Sequence, residues 1–432
     1  MGQARQATTS DHRPLRLVVR PGAWSDFWRA ATDNEAPWGV GRMRSIRSAS
    51  TRQWFVDELA LRDSQPTGGE FSPVESWLVV TLMTEGSPTA DQLDGIMRRL
   101  APRPSQTVGL LAVGGTDRSE WNARLWRGDE RSRIDTIEVP GPGMLRLSQA
   151  ASQEAVPARA SRTVGALGKR VATRVREASV TLIGAGGNGW LMAMQLAAAG
   201  VGKLRIIDPD LLKPENLDRM PPAPACVTGL PKAKALGAVL ADYRNDLTLS
   251  LLPDAINSDR GRAVMNEPTD LVVTCVDDDT GRLVAAFAAR RTLTPHLDVA
   301  TSIRRDDAGS LSIGGDCRLL LPGEGCVACV GGVEDFEEAL YELSEPDGAL
   351  RRRVTLPWDE QRAGSLASIN SIVVGAGVQL WLDQIGGQLR SSYWQRLAWE
   401  PGTGLRVDGA VVGTDAECPV CHRRIERLGS RL

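Results

Sequence analysis

Between residues 180 and 300 the hydrophobic positions alternate between two kinds of segment. Val180-Thr181-Leu182-Ile183 is short and nearly all apolar, ends at a Gly-rich turn, and predicts a strand. Trp190 to Ala199 has the length of a helix, and Lys203–Ile207 predicts a second strand, so the three form a βαβ unit. Strand-like runs follow at Leu247–Leu252, Leu271–Val276 and His296–Ala300, separated by helical stretches over 231–243 and 281–291. Strands that alternate with helices predict an α/β fold: a doubly wound, mostly parallel sheet covered on both faces. No stretch of about 20 to 50 residues repeats.

The first third of the chain is patterned differently. Residues 1–12 are polar and predict a disordered tail. Over 13–145 the apolar runs Trp77–Leu82 and Val108–Val113 and one helix-like stretch, Ala90–Leu100, predict a smaller N-terminal α/β domain. Pro140-Gly141-Pro142-Gly143 and the Ala/Ser/Arg-rich stretch after it predict a linker over 146–162, with the larger domain at 163–432.

Composition narrows the class. At 432 residues the chain exceeds what one hydrophobic core serves, about 250 to 300 residues. The 51 Lys and Arg nearly balance the 53 Asp and Glu, so no net field draws it to nucleic acid or to an acidic membrane. No apolar run reaches the roughly 18 residues of a membrane span, and the N-terminus lacks a signal core, which makes the cytoplasm the expected compartment.

Gly184-Ala185-Gly186-Gly187-Asn188-Gly189 closes the first strand and opens the helix, where backbone N–H groups and the helix N-terminus face a phosphate. The same motif serves nicotinamide and flavin enzymes, and a Gly cluster at a tight turn needs no ligand. Asp208-Pro209-Asp210 ends the second strand, where such folds bind a ribose hydroxyl, although Asp-Pro-Asp also makes turns by itself. Three further loops supply Asn216 and Arg219, then Lys232 after Pro231, then Asp277 with Arg282 five residues on. Fixed cations with a Mg²⁺-holding carboxylate suit a triphosphate. A nicotinamide cofactor calls for none of them, so a dinucleotide-dependent oxidoreductase leaves Arg219, Lys232 and Asp277 unexplained.

In this order the elements resemble the adenylating enzymes typified by MoeB and ThiF and shared with the ubiquitin-activating enzymes. The resemblance covers about residues 162–425 and implies a Rossmann-like adenylation domain that uses ATP and Mg²⁺. It assigns Asp210 to the ribose, Asn216, Arg219 and Lys232 to the phosphates, Asp277 to Mg²⁺ and Arg282 to a supporting role, with Arg219, Lys232 and Asp277 as the catalytic set. It further implies a homodimer, with Arg162 as the arginine that reaches the partner's ATP, and a substrate that is the C-terminal carboxylate of a ubiquitin-like protein or a peptide. A scaffold that only binds such a protein is the non-catalytic alternative.

Four of the seven cysteines form two Cys-x-x-Cys pairs, Cys326/Cys329 and Cys418/Cys421. Each pair presents two thiolates to a tetrahedral ion, and their separation is too long for a local ribbon, so they predict a structural Zn²⁺ that pins the C-terminal segment to the domain. Members of the resembling family that form a thioester carry a cysteine beyond the first knuckle, and none lies between Cys329 and Cys418 here. Cys275 reads as core and Cys226 as a bystander in a loop. The run Glu85 to Leu93 faintly resembles a JAB/MPN metalloprotease, but with only His12, His296 and His422 in the chain no two-histidine site assembles there. A helix N-cap by Ser87 or Thr89 explains the same run, and docking of substrate or partner is the remaining role.

Overall fold

The computed structural model describes residues 13–33, 38–67, 70–72, 74–83, 88–100, 106–114, 120–128, 130–148, 157–221, 223–305, 311–344, 365–400 and 402–422. The polar tail, Ser87 and much of the predicted linker lie outside them. The chain divides into two compact units, Met1–Val139 with Arg146–Ala151, and Pro140–Leu145 with Ser152–Leu432.

The first unit is a mixed sheet in the order Leu145–Ser148, Thr136–Val139, Leu15–Val19, Arg52–Val56, Trp38–Arg47, Ser76–Leu82, Thr107–Gly114, Glu120–Arg127, Glu130–Arg133. The helix Ala90–Leu100 buries Leu93, Ile96, Met97 and Leu100, a stripe at the spacing of one helix face, against Val79, Val108 and Leu110. Its start is closed reciprocally: Gln92 N–H donates to Thr89 Oγ1 (3.3 Å) and Thr89 N–H to Gln92 Oε1 (2.8 Å). Capping thus accounts for Thr89.

Among the described residues the second unit carries eight strands: β1 Ser179–Ile183, β2 Lys203–Ile207, β3 Thr248–Leu252, β4 Leu271–Thr274, β5 His296–Arg305, β6 Leu311–Leu320, β7 Tyr393–Glu400 and β8 Gly404–Val411. They lie in the order β3-β2-β1-β4-β5-β6-β7-β8, parallel as far as β5 and antiparallel beyond it. The strand order reverses between β1 and β4. β4 is wholly buried and β1 nearly so, which is why their sequences read as continuous apolar runs.

Helices α1 Ser161–Leu167 and α2 Lys169–Glu177 precede the sheet; α3 Gly187–Ala199, α4 Lys232–Tyr243, α5 Asp259–Val264, α6 Asp279–Arg291, α7 Phe336–Ser344, α8 Ala367–Gly386 and α9 Pro419–His422 are the other α-helices among the described residues of the unit. On one face α3, α4 and α8 pack Trp190, Leu196, Leu236, Leu240 and Trp381 over Leu182, Leu204 and Val273. On the other, Val284, Ala285 and Ala288 of α6 cover Ile183, Ile207 and Val272. The sheet is doubly wound, as the alternating pattern predicts. No helix among the described residues is long and apolar enough to cross a membrane.

Candidate nucleotide edge and cysteine cluster

The Gly-rich turn sits at the C-terminal edge of β1, beside the strand-order reversal, where open α/β sheets form their ligand crevice. Gly184 has φ +90°, and a Cβ there would lie 2.6 Å from the Cys275 carbonyl oxygen at the end of β4. Only glycine suits that backbone and that approach. A Cβ on Gly189 would collide with the Gly184 carbonyl oxygen and stand 2.8 Å from its carbon, so α3 and the turn touch with nothing between them. A Cβ on Gly186, by contrast, would meet nothing within 4 Å.

Asp208, at the end of β2, is buried and accepts hydrogen bonds from Ala185 N–H (2.6 Å) and Asp210 N–H (2.9 Å). Burial raises its pKa against the opposing pull of Lys232 and the two N–H donors. Its side chain thus holds the turn's backbone, whereas Asp210 is the exposed carboxylate of the pair: 61% of its side chain is accessible, and Lys232 Nζ lies 2.7 Å from its Oδ2. Lys232, the first residue of α4, is buried, and its N–H donates to the Asp210 carbonyl (2.8 Å).

Asn216 and Arg219 belong to a 3₁₀ turn, Pro214–Arg219. Asn216 is buried and accepts from Lys213 N–H (3.0 Å), which closes the turn. Carbons of the Arg219 side chain lie 3.3 Å from where a Gly187 Cβ would stand, so this arginine reaches the Gly-rich turn. Asp277 is exposed and follows Val276, whose side chain would contact a Gly184 Cβ at 2.9 Å. Arg219 thus lies against the turn, Asp210 and Lys232 are joined to it through Asp208, and Asp277 follows the residue that borders Gly184. Arg162 is exposed on α1.

Arg282 is turned into the protein. Its guanidinium donates to the Val276 carbonyl (3.0 Å) and pairs with Asp279 (3.3 Å) and with buried Asp298 (3.3 Å). Arg318 meets Asp298 from the other side (2.8 Å), and Thr274 donates to Asp298 (2.7 Å) while sharing a hydrogen bond with His296 (2.9 Å). Burial would raise the Asp298 pKa, but the two guanidiniums overcome it and hold the carboxyl low. Burial pushes His296 down to about 4.

Sequence reasoning missed one neighbour of the turn. Asn370 of α8 is buried, and its Nδ2 lies 2.8 Å from the Gly187 Cβ position. Its Oδ1 accepts from Thr301 Oγ1 (3.0 Å), which also takes a bond from Asn188 Nδ2 (3.0 Å). Single Asn and Thr residues so distant in sequence give no local signal.

The two cysteine pairs meet as their spacing requires. All four Sγ atoms lie within 4.8 Å of one another, with Cys326–Cys418 and Cys329–Cys421 at 3.5 Å and Cys326–Cys329 at 3.9 Å. A tetrahedral ion with bonds of about 2.3 Å sets its sulfurs about 3.8 Å apart, so the cluster fits such an ion. A hydrogen bond to Cys421 and burial raise the Cys326 pKa, and burial raises Cys418 to about 12, so both favour the thiol in the absence of a cation; a divalent ion would favour the thiolates instead. Cys275 and Cys317 are buried, the latter donating to the Val373 carbonyl (3.0 Å), while Cys226 is exposed.

The geometry defines a doubly wound α/β domain with a cationic, acid-bearing edge around a Gly-rich turn. The chain belongs to the ThiF family, whose model matches residues 159–395. It is 28% identical over 168 residues to ubiquitin-like modifier-activating enzyme 5 of Drosophila erecta, covering 36% of this chain and 40% of that protein. It is 32% identical over 162 residues to adenylyltransferase and sulfurtransferase MOCS3 of Danio rerio, covering 36% and 34%. The chain thus spans well under half the length of these relatives. The solved structure of E. coli MccB with ATP is similar at 18% identity and a TM-score of 0.46, covering 62% of this chain and 75% of that one.

Proposed function

We propose that this chain is an adenylyltransferase that activates a carboxylate with ATP. The observation that carries the reading is a Gly-rich turn at the strand-order reversal, with the Arg219 side chain against it and the Asp210–Lys232 pair tied to it through Asp208. A carboxylate oxygen attacks the α-phosphorus, the bond from that phosphorus to the bridging oxygen breaks, and pyrophosphate leaves with the electron pair. Acyl-AMP remains. Backbone N–H groups of the turn and the N-terminus of α3 orient the phosphates, Asp210 takes the ribose, and Arg219 and Lys232 neutralise the charge that develops. Mg²⁺, held by Asp277, would offset charge on the phosphate oxygens.

The relatives' names favour the C-terminus of a ubiquitin-like protein or a peptide as the carboxylate, and Zn²⁺ is the ion the four cysteines suit best. The chain would act as a homodimer in the cytoplasm, with Arg162 of each copy directed to the other's nucleotide. The N-terminal unit would dock the substrate. The test is substrate-dependent exchange of labelled pyrophosphate into ATP, offered ubiquitin-like proteins and peptides with free C-termini. Exchange lost in Asp277→Ala supports the reading; a chain that binds no ATP refutes it.

A further inference from the structure

We propose that the cysteine cluster and the Asp277 loop form one coupled element, so that metal held by the cysteines sets the affinity of the nucleotide edge, with Asp279 and Arg282 as the positioning residues that join them. The inference rests on the adenylation reading. It gives Arg282, to which the resemblance assigns a supporting role at the cofactor, a further task.

The connection is continuous in space. α6 begins two residues after Asp277, capped by Asp278, whose Oδ1 accepts from Gly281 N–H (2.7 Å). From its first turn Asp279 accepts from the backbone N–H groups of Glu334 (2.8 Å) and Asp335 (3.0 Å), in the segment that leaves the Cys326/Cys329 knuckle. Arg282 reaches both ways, to the Val276 carbonyl beside Asp277 and to the Gly332 carbonyl (3.5 Å) beyond Cys329. Further along, Leu283, Ala286 and Phe287 share a hydrophobic core with Cys326, Val327, Cys418 and Val420. One helix thus carries the putting-in-place of the acidic loop at its start and a wall of the cysteine cluster along its side.

Such an element has consequences for binding. If the four thiols separate without metal, the residue 332–335 backbone that Asp279 and Arg282 hold loses its anchor, and the start of α6 loses its partners. Linkage then requires the reverse: nucleotide bound at the edge tightens the metal. Couplings of this kind run from about 5-fold to 150-fold.

The test is the apparent zinc affinity of the full chain, read by competition with a chromogenic chelator, with and without saturating Mg²⁺ and a non-hydrolysable ATP analogue whose binding calorimetry verifies in the same sample. Zinc should bind at least about fivefold tighter with the analogue present. Asp279→Ala should keep one zinc per chain and a cooperative melt yet lose that difference, and Asp279→Asn, which retains an acceptor, should restore part of it. Equal zinc affinity with and without bound analogue in the unaltered chain overturns the coupling and leaves the nucleotide reading standing, as does full coupling in Asp279→Ala. Failure of the unaltered chain to bind the analogue removes both. Should Asp279→Ala fail to fold, the comparison on the unaltered chain decides alone.

Discussion

Alanine at Gly186 and at Gly189 should have opposite effects on the stability of the fold. At Gly189 the new Cβ meets the Gly184 carbonyl, at 2.8 Å from its carbon where ordinary contact begins at 3.4 Å. Gly184 cannot retreat freely, because its N–H is bonded to the Ile207 carbonyl (2.9 Å) and Cys275 stands behind it. Overpacking of this kind costs about 1–3 kcal/mol. At Gly186 the backbone is extended, with φ −74° and ψ −162°, and the Cβ enters open space. Alanine there should stabilise the fold by about 0.4–1 kcal/mol by restricting the unfolded chain. That open space is where the proposed phosphates lie, so the same methyl should weaken ATP binding by a factor of ten or more, about 1.4 kcal/mol. Urea unfolding reads the first effect and calorimetry with a non-hydrolysable ATP analogue the second. Unchanged ATP affinity in Gly186→Ala, or unchanged stability in Gly189→Ala, refutes the reasoning.

His296 supplies a pH prediction. Its folded pKa of about 4 lies below the unfolded value near 6.5, so its contribution is complete above pH 6.5 and is lost as pH falls toward 4, by about 3 kcal/mol in all; His296→Gln should flatten the urea midpoint over that window. Cys418→Ser should lower zinc below one ion per chain by atomic absorption and reduce the melting temperature of the second unit. Thr89→Ala removes a reciprocal cap and should cost about 0.5–2 kcal/mol, seen as earlier unfolding of the Ala90–Leu100 helix by hydrogen exchange.

Local spacing made the central elements legible. The turn at 184–189, the acidic pair at 208 and 210 and the cysteine pairs each compress their meaning into a few adjacent residues, and the parallel strands announce themselves as buried apolar runs. β8 escaped notice because it is exposed along nearly its whole length and carries no two-residue alternation of burial. The surroundings of Arg282 were illegible for a different reason. Its spacing from Asp277 is compatible with a ligand, but the residue that attracts it, Asp298, enters from β5 and is invisible to any local pattern. The first unit hid its strands similarly: Leu15–Val19 is buried throughout, so its five residues carry no periodicity that separates strand from helix.

The cysteine knuckles also have a topological effect. They tie together the ends of a segment that contains α7, α8, β7 and β8. A cross-link closing a loop of roughly a hundred residues removes about 4 to 5 kcal/mol of chain entropy from the unfolded state in the disulfide case. Within that closed loop lies Asn370, whose amide backs the Gly187 turn. A bound ion would thus act as a clasp on that segment, adding to the core packing that already holds α8 beside the glycines.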